Sequence, residues 1–118
     1  MRFTRGNPAH CPIYVLNSAL SYLSRFDMRD VQRHVQTLTV GLLEELAASQ
    51  IRVMTPRDPA RHGASVCIAS PRAQTVVDAL YAQGVYAWNG QGRVRVSFHG
   101  YNSTDDVQRT VQALRACL

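Results

Sequence analysis

The sequence predicts an α+β fold, in which helices cover one face of a small, mainly antiparallel sheet, with an N-terminal helical arm. Apolar residues recur at helical spacing in four segments, and short segments with strand character lie between the helices. The last two of these strands are separated by a few residues only, which favours antiparallel pairing. At 118 residues, we expect a single domain: an arm and helix over 1–26, and the small α+β domain over 27–118.

Two helices open the chain. From Ile13 to Phe26 the apolar residues recur every three or four positions, which is typical of one face of a helix. Asp27 suits the N-cap of a second helix, because its carboxylate can accept a hydrogen bond from a free backbone N–H. That helix is expected to run to about Ser49 with one apolar face and one polar face.

Two more helices follow strands. Ser70 and Pro71 predict an N-cap followed by proline at the first helical position, and Gly84 predicts the end of that helix. Ser103 or Thr104 is expected to cap the last helix, whose first turn is acidic. Each helix would then begin and end where its backbone groups find partners outside the helix.

Four segments have strand character. Residues 51–54 alternate and are closed by a Thr-Pro pair, and residues 65–69 are rich in apolar and β-branched residues. Residues 85–88 and 93–98 flank the sequence Asn-Gly-Gln-Gly at 89–92. Since Asn-Gly suits turns that require a positive φ, we expect these two strands to form a hairpin.

The composition argues against several classes of protein. The net charge is +5 and all 13 basic residues are arginine, but they are scattered, without a dense run or an aromatic stripe. We therefore expect no nucleic-acid partner. No apolar run reaches the length of a membrane span, so we expect a soluble, cytoplasmic protein. The three cysteines form neither a disulfide framework nor a metal-ligand pattern: Cys11, Cys67 and Cys117.

Two segments carry a family resemblance. Residues 94–107 read Val-Arg-Val-Ser-Phe-His-Gly-Tyr-Asn-Ser-Thr-Asp-Asp-Val, and residues 2–8 read Arg-Phe-Thr-Arg-Gly-Asn-Pro. The first is similar to the final strand, turn and helix of the class V aminotransferase family, a pyridoxal-phosphate group that includes cysteine desulfurases, kynureninases and isopenicillin-N epimerase-like enzymes. The second resembles that family's Phe-Glu-x-Gly-(Thr or Asn)-Pro segment, close to where its small domain begins. The resemblance covers nearly all of this chain but only about the last third of a family member.

The resemblance implies roles for three residues. Arg95 matches the arginine that binds the α-carboxylate of an amino-acid substrate, for which a guanidinium offers two parallel donors. Gly6 and Asn7 match a turn that approaches the cofactor phosphate across the interface of a homodimer. The residues alone favour a solvated arginine on a half-exposed strand for Arg95, and they leave Gly6-Asn7 open as a simple loop turn before Pro8.

The chain contains no lysine, and a Schiff base to pyridoxal phosphate requires a lysine amine. We therefore expect no catalytic residue, no metal and no covalently held cofactor here, with the cofactor-binding large domain absent and the chain inactive alone. No cysteine lies between the last two strands, where desulfurases hold theirs, so desulfuration is disfavoured; transamination, lyase and epimerase chemistry stay open. His99 and Trp88 are expected to be structural, Trp88 in the core or an interface, and Cys67 a small buried residue.

The alternative is a non-enzymatic α+β module that binds a small ligand or a protein partner. Such a module would explain the missing lysine without a lost domain. An Arg95 pocket that is intact in the isolated chain, together with self-association, would favour it.

Overall fold

A computed structural model describes residue 6 and residues 9–118. The chain divides into two units, residues 1–31 and residues 32–118, and α2 continues from one into the other. The elements in chain order are α1 (His10–Leu23), α2 (Met28–Ala48), a 3-10 turn (Pro59–Arg61), β1 (Ser65–Ala69), α3 (Ala73–Ala82), β2 (Trp88–Gly90), β3 (Arg93–Ser97) and α4 (Thr104–Cys117).

The three strands form one antiparallel sheet in the order β1-β3-β2, with β3 in the centre. Successive side chains of a strand point to opposite faces, and burial follows this period. Val66 and Ile68 of β1, and Val94 and Val96 of β3, are buried on one face. The predicted α+β fold with a small antiparallel sheet is therefore confirmed.

Helices α2, α3 and α4 supply most of the rest of the core, together with Val85 and Phe98 from the connecting segments. Each fully buried leucine or valine side chain contributes roughly 1.5–3 kcal/mol relative to an exposed one. The helical side chains with at most 2% exposure are Leu38, Leu42 and Leu46 of α2, Val76 and Leu80 of α3, and Val111 and Leu114 of α4, with the small Thr39 and Ala113 beside them.

Helix α1 differs from the other helices because none of its residues is buried. It ends at Leu23, three residues before the predicted Phe26. The start of α2 follows the sequence prediction, since Oδ1 of Asp27 accepts a hydrogen bond from the N–H of Arg29 at 2.8 Å. In the described part of this first unit, the large apolar residues with about half or more of their surface exposed are Ile13, Tyr14, Val15, Leu16, Leu20, Tyr22, Leu23, Phe26 and Met28.

The strand expected at residues 51–54 is reduced to a single bridge between Val53 and Ile68. The backbone hydrogen bond of this bridge joins the N–H of Met54 to the carbonyl of Cys67 at 2.8 Å. The N–H of Cys67 instead donates to Oγ1 of Thr55 at 2.8 Å. A side chain thus ends the ladder, and Pro56, which has no N–H, follows directly.

Helix α3 begins later than predicted and ends as predicted. Oγ of Ser70 accepts from the N–H of Arg72 at 3.3 Å, so Ser70 closes a local turn, and the first helical residue is Ala73. At the other end Gly84 has a φ of 76°. The N–H of Val85 donates to the carbonyl of Leu80 at 3.0 Å, which completes a Schellman motif.

The hairpin forms, but its turn is two residues beyond the predicted Asn-Gly. Asn89 and Gly90 belong to β2 and pair with Val94 and Arg93. Gln91 and Gly92 make the turn, with φ values of 54° and 70°, as a two-residue turn of type I′ requires. Register follows the turn, so Trp88 is paired with Arg95.

No helix in the described part of the chain is both long and apolar enough to cross a membrane.

Candidate functional site

The sheet face opposite α2, α3 and α4, here called the open face, carries Arg95. It is formed by the alternate residues of the three strands, and no acidic residue occurs on any of these strands. Arginines on this face therefore lie without an acidic neighbour on the sheet. The open face consists of Ser65, Cys67 and Ala69 of β1, Arg93, Arg95 and Ser97 of β3, and Trp88 and Gly90 of β2.

Arg95 lies in the middle of the open face. Its backbone is held on both sides, because it pairs with Cys67 of β1 and with Trp88 of β2. Its side chain is exposed, and among the described residues its guanidinium makes no hydrogen bond or ion pair. The central strand thus presents an exposed guanidinium whose N–H donors have no acceptor among the described residues, and such donors can bind a carboxylate.

Of the two places expected for Trp88, the core is wrong, because 46% of its surface is exposed on the open face; a place at an interface stays a prediction. The guanidinium carbon of Arg95 lies 4.8 Å from the centre of the indole, within the range of a cation–π contact. The sequence signal for this pair is the turn, because placing it at Gln91-Gly92 aligns Trp88 with Arg95.

Arg93 occupies the same face as Arg95 but has a different environment. It is half-buried, and its Nη2 donates to Oε1 of Gln91 at 2.9 Å. Its Nε is buried without a hydrogen-bond partner among the described residues. Arg93 therefore donates a hydrogen bond within the turn, whereas the guanidinium of Arg95 makes none among the described residues.

Cys67, expected as a small buried residue, is only half-buried on the open face beside Arg95. Ser65 and Ser97, farther along the same face, share a hydrogen bond of 2.8 Å between their hydroxyl oxygens. These neighbours are small, so they leave the guanidinium of Arg95 open to solvent.

The segment between β3 and α4 is fixed by a compact hydrogen-bond network. Oδ1 of Asn102 accepts from the N–H of His99 at 2.8 Å, and Nε2 of His34 lies 2.8 Å from the carbonyl oxygen of Asn102. Ser103 is the N-cap of α4 and forms a capping box with Asp106, as one of the two sequence alternatives predicted. His99 itself stacks on Tyr101.

The carboxylate of Asp106 is the group whose ionisation this network perturbs. The N–H of Ser103 donates to its Oδ2 at 2.9 Å, and Nδ2 of Asn102 donates at 3.3 Å. These hydrogen bonds, the backbone one foremost, lower the pKa of Asp106 below its ordinary value, with a smaller contribution from the charge of Arg109. Asp106 is therefore a structural anion at the start of α4.

Gly6 lies in the first unit, and Asn7 falls outside the described residues. Gly6 is exposed and has a φ of 91°, a conformation that favours glycine, with no atom within 4 Å of the position that a Cβ would take. The expected role of Gly6 and Asn7 at a cofactor phosphate stays a prediction.

A separate groove of about 760 Å³ lies away from the open face, lined mainly by α2 and the start of α4. It contains no candidate catalytic group from the sequence analysis. Among the described residues, no three histidine, cysteine or acidic side chains are grouped so that they could bind a metal ion.

Residues 27–114 match the family model described as the kynureninase C-terminal domain. The chain belongs to this family. The match confirms the resemblance seen in the sequence, to the C-terminal domain of class V aminotransferase-like proteins.

Relatives with longer chains match almost all of this one. An uncharacterized aminotransferase of Schizosaccharomyces pombe is 23% identical over 97% of this chain and 29% of its own length. A cysteine desulfurase structure from Thermococcus onnurineus has a TM-score of 0.89 at 22% identity, over 98% of this chain and 32% of that one. The structure of the cysteine desulfurase CsdA of Escherichia coli has a TM-score of 0.77 at 20% identity, over 95% of this chain and 31% of that one. The chain thus spans about a quarter to a third of its relatives.

Proposed function

We propose that this chain is the small domain of a pyridoxal-phosphate enzyme that acts on an amino acid, and that Arg95 binds the substrate's α-carboxylate. The observation that carries the proposal is Arg95 itself, an exposed guanidinium at the centre of the open face without an acidic partner in the described region. The match to the kynureninase C-terminal domain supports the proposal.

The chemistry of a carboxylate ligand suits this position. A guanidinium can bind both oxygens of a carboxylate in parallel, and a central strand limits the movement of its backbone. The open face has no acidic side chain on its strands that would compete with a ligand. Arg93 lies two residues away on the same face, but its guanidinium donates a hydrogen bond to Gln91. A substitution of Arg93 is therefore a control for a substitution of Arg95.

The residues of the chain fit only part of a pyridoxal-phosphate site. Arg95 suits the substrate, and the open backbone at Gly6 suits an approach to a phosphate, whereas no lysine is present to hold the cofactor. When bound, the cofactor supplies the electron sink for the reaction. We infer that this chain contributes positioning and charge, that it is inactive alone, and that the parent enzyme is a homodimer in which Gly6 and Asn7 approach the partner's cofactor phosphate.

The inactivity is tested by reductive trapping. The chain is incubated with pyridoxal phosphate and sodium borohydride, digested, and mapped by mass spectrometry. We expect an adduct at the N-terminal amine only, because no other primary amine is present. Turnover of an amino acid by the isolated chain with added cofactor would overturn this part of the proposal.

The carboxylate role is tested by fluorescence, because Trp88 is the single tryptophan of the chain and lies next to Arg95. L-Alanine, which has a free carboxylate, is titrated at constant ionic strength beside L-alaninamide, which has none. We expect a response to L-alanine alone, lost in Arg95→Gln and kept in Arg93→Gln.

Equal responses to both compounds, or an unchanged response in Arg95→Gln, would overturn the carboxylate role. The first result would favour the non-enzymatic binding module. Transamination, lyase and epimerase reactions are all compatible with an arginine that holds the substrate carboxylate.

A further inference from the structure

Trp88 and Arg95 form a contact that is fixed by the pairing of their two strands. They are directly opposite each other on neighbouring strands, where side chains on the same face come close together. The guanidinium carbon lies 4.8 Å from the centre of the indole. The aromatic face therefore borders the one arginine that the proposed function needs.

Gly90 makes room for the indole. Trp88 and Gly90 lie two positions apart on β2, so both face the open side of the sheet. A Cβ built on Gly90 would lie 2.6 Å from Cζ2 and 2.9 Å from Cζ3 of Trp88, and closer still to Cη2. The indole thus lies along its own strand over a residue that has no side chain.

The edge strand that carries Trp88 is anchored from the other face. Nδ2 of Asn89 donates to Oε1 of Gln74 on α3, and Nε2 of Gln74 donates to Oδ1 of Asp78 at 2.7 Å. Since Asn89 points away from the open face, this chain of hydrogen bonds fixes the backbone of β2 without using the surface that Trp88 and Arg95 occupy.

From these three observations we propose that Trp88 is a positioning residue: its indole, seated on Gly90, holds the guanidinium of Arg95 in place for a carboxylate. The inference rests on the proposed function for its purpose, but the ordering of Arg95 by Trp88 is a property of the free chain. A long arginine side chain loses rotamer freedom when it binds, and a side chain that is already held loses less.

The test measures the order of Arg95 directly, by ¹⁵N relaxation of arginine Nε–H groups in the full chain. Wild type is compared with Gly90→Ala, which displaces the indole while keeping both partners, and with Trp88→Leu and Trp88→Phe. Gly63→Ala is the matched control, because a Cβ there meets no atom within 4 Å. Exposed Arg52 serves as the internal reference for a mobile arginine.

We expect Arg95 to be more ordered than Arg52 in wild type and in Gly63→Ala. Order should fall to the level of Arg52 in Trp88→Leu and Gly90→Ala, and recover in part in Trp88→Phe, because phenylalanine keeps an aromatic face. The L-alanine concentration for a half-maximal shift of the Arg95 Nε–H signal should rise about two- to fivefold in Trp88→Leu, which is the fold-change equivalent of an exposed cation–π contact.

The inference would be overturned if Arg95 were as mobile as Arg52 in wild type. It would also be overturned if Arg95 were as ordered in Trp88→Leu as in wild type. If Gly90→Ala does not fold, the two Trp88 variants decide the question. The proposed function fails separately: an Arg95 that is ordered by Trp88 but does not respond to L-alanine refutes the carboxylate role and leaves the ordering intact.

Discussion

Replacing Asp106 by alanine removes the acceptor that organises the β3–α4 segment. Its Oδ2 accepts the N–H of Ser103 at 2.9 Å and Nδ2 of Asn102 at 3.3 Å. Losing a capping interaction costs about 1 kcal/mol, and losing a negative charge in the first turn of a helix costs about 0.3–1 kcal/mol more. We therefore expect Asp106→Ala to lower the free energy of unfolding by about 1–2 kcal/mol at neutral pH.

The dependence on pH follows from the sign of the pKa shift. The pKa of Asp106 is lowered in the folded chain from an ordinary value of 3.8. Its ionised form therefore contributes stability that is fully present above that ordinary value and is lost as the pH falls through the lower folded pKa. The difference between wild type and Asp106→Ala should accordingly shrink in acid.

Urea unfolding followed by circular dichroism, at pH 7 and again at acidic pH, measures both effects. Asp105→Ala is the matched control, because Asp105 also lies in the first turn of α4 but is not part of the capping box. Asp105→Ala should lower the free energy of unfolding by less than about 1 kcal/mol, because it removes only the charge effect. Equal costs for Asp105→Ala and Asp106→Ala, or a cost for Asp106→Ala that does not change with pH, would refute the reasoning.

Other substitutions test the core, a helix end and the open face by the same urea measurement. Leu114→Ala should cost about 2–5 kcal/mol, because Leu114 has no exposed surface; a loss below 1 kcal/mol would contradict its place in the core. Gln50→Gly should stabilise the chain by about 0.5–1 kcal/mol, because Gln50 ends α2 with a φ of 58°, and a destabilisation would argue against that conformation. Arg95→Gln should lower the free energy of unfolding by no more than about 1 kcal/mol, because Arg95 is exposed, makes no hydrogen bond or ion pair in the described region, and loses only its cation–π contact with Trp88; a larger loss would indicate a structural role.

Most helices could be predicted from the sequence because their signals are local. Asp27 caps α2, Gly84 ends α3, and Ser103 caps α4 through side-chain and backbone groups a few residues away. The start of α3 was predicted too early, because Ser70 closes a turn that holds Pro71 outside the helix.

The errors in the strands have tertiary causes. Residues 51–54 have strand character, but the Thr55 hydroxyl takes the place of a ladder carbonyl, and the pairing stops at Val53. Asn89-Gly90 is a strong turn signal, yet Gly90 lies in β2 beneath the indole of Trp88. A local pattern cannot distinguish a glycine that a turn requires from one that a neighbouring ring requires.

Arg95 could be singled out only through the family resemblance, because an arginine on a half-exposed strand is usually solvated. The structure adds its central position on the sheet and its lack of an acidic partner among the described residues. Trp88 could have been placed beside Arg95 from the sequence only with the turn set at Gln91-Gly92.

The central claim is that an amino acid's carboxylate binds at Arg95 on the open face of the sheet. The most direct measurement is a map of ¹H–¹⁵N signals, backbone and arginine Nε–H, as L-alanine is added to the full chain. We expect the shifts to be concentrated at Arg95 and its strand neighbours Trp88 and Cys67. Shifts confined to the groove along α2, or none at Arg95, would contradict the account.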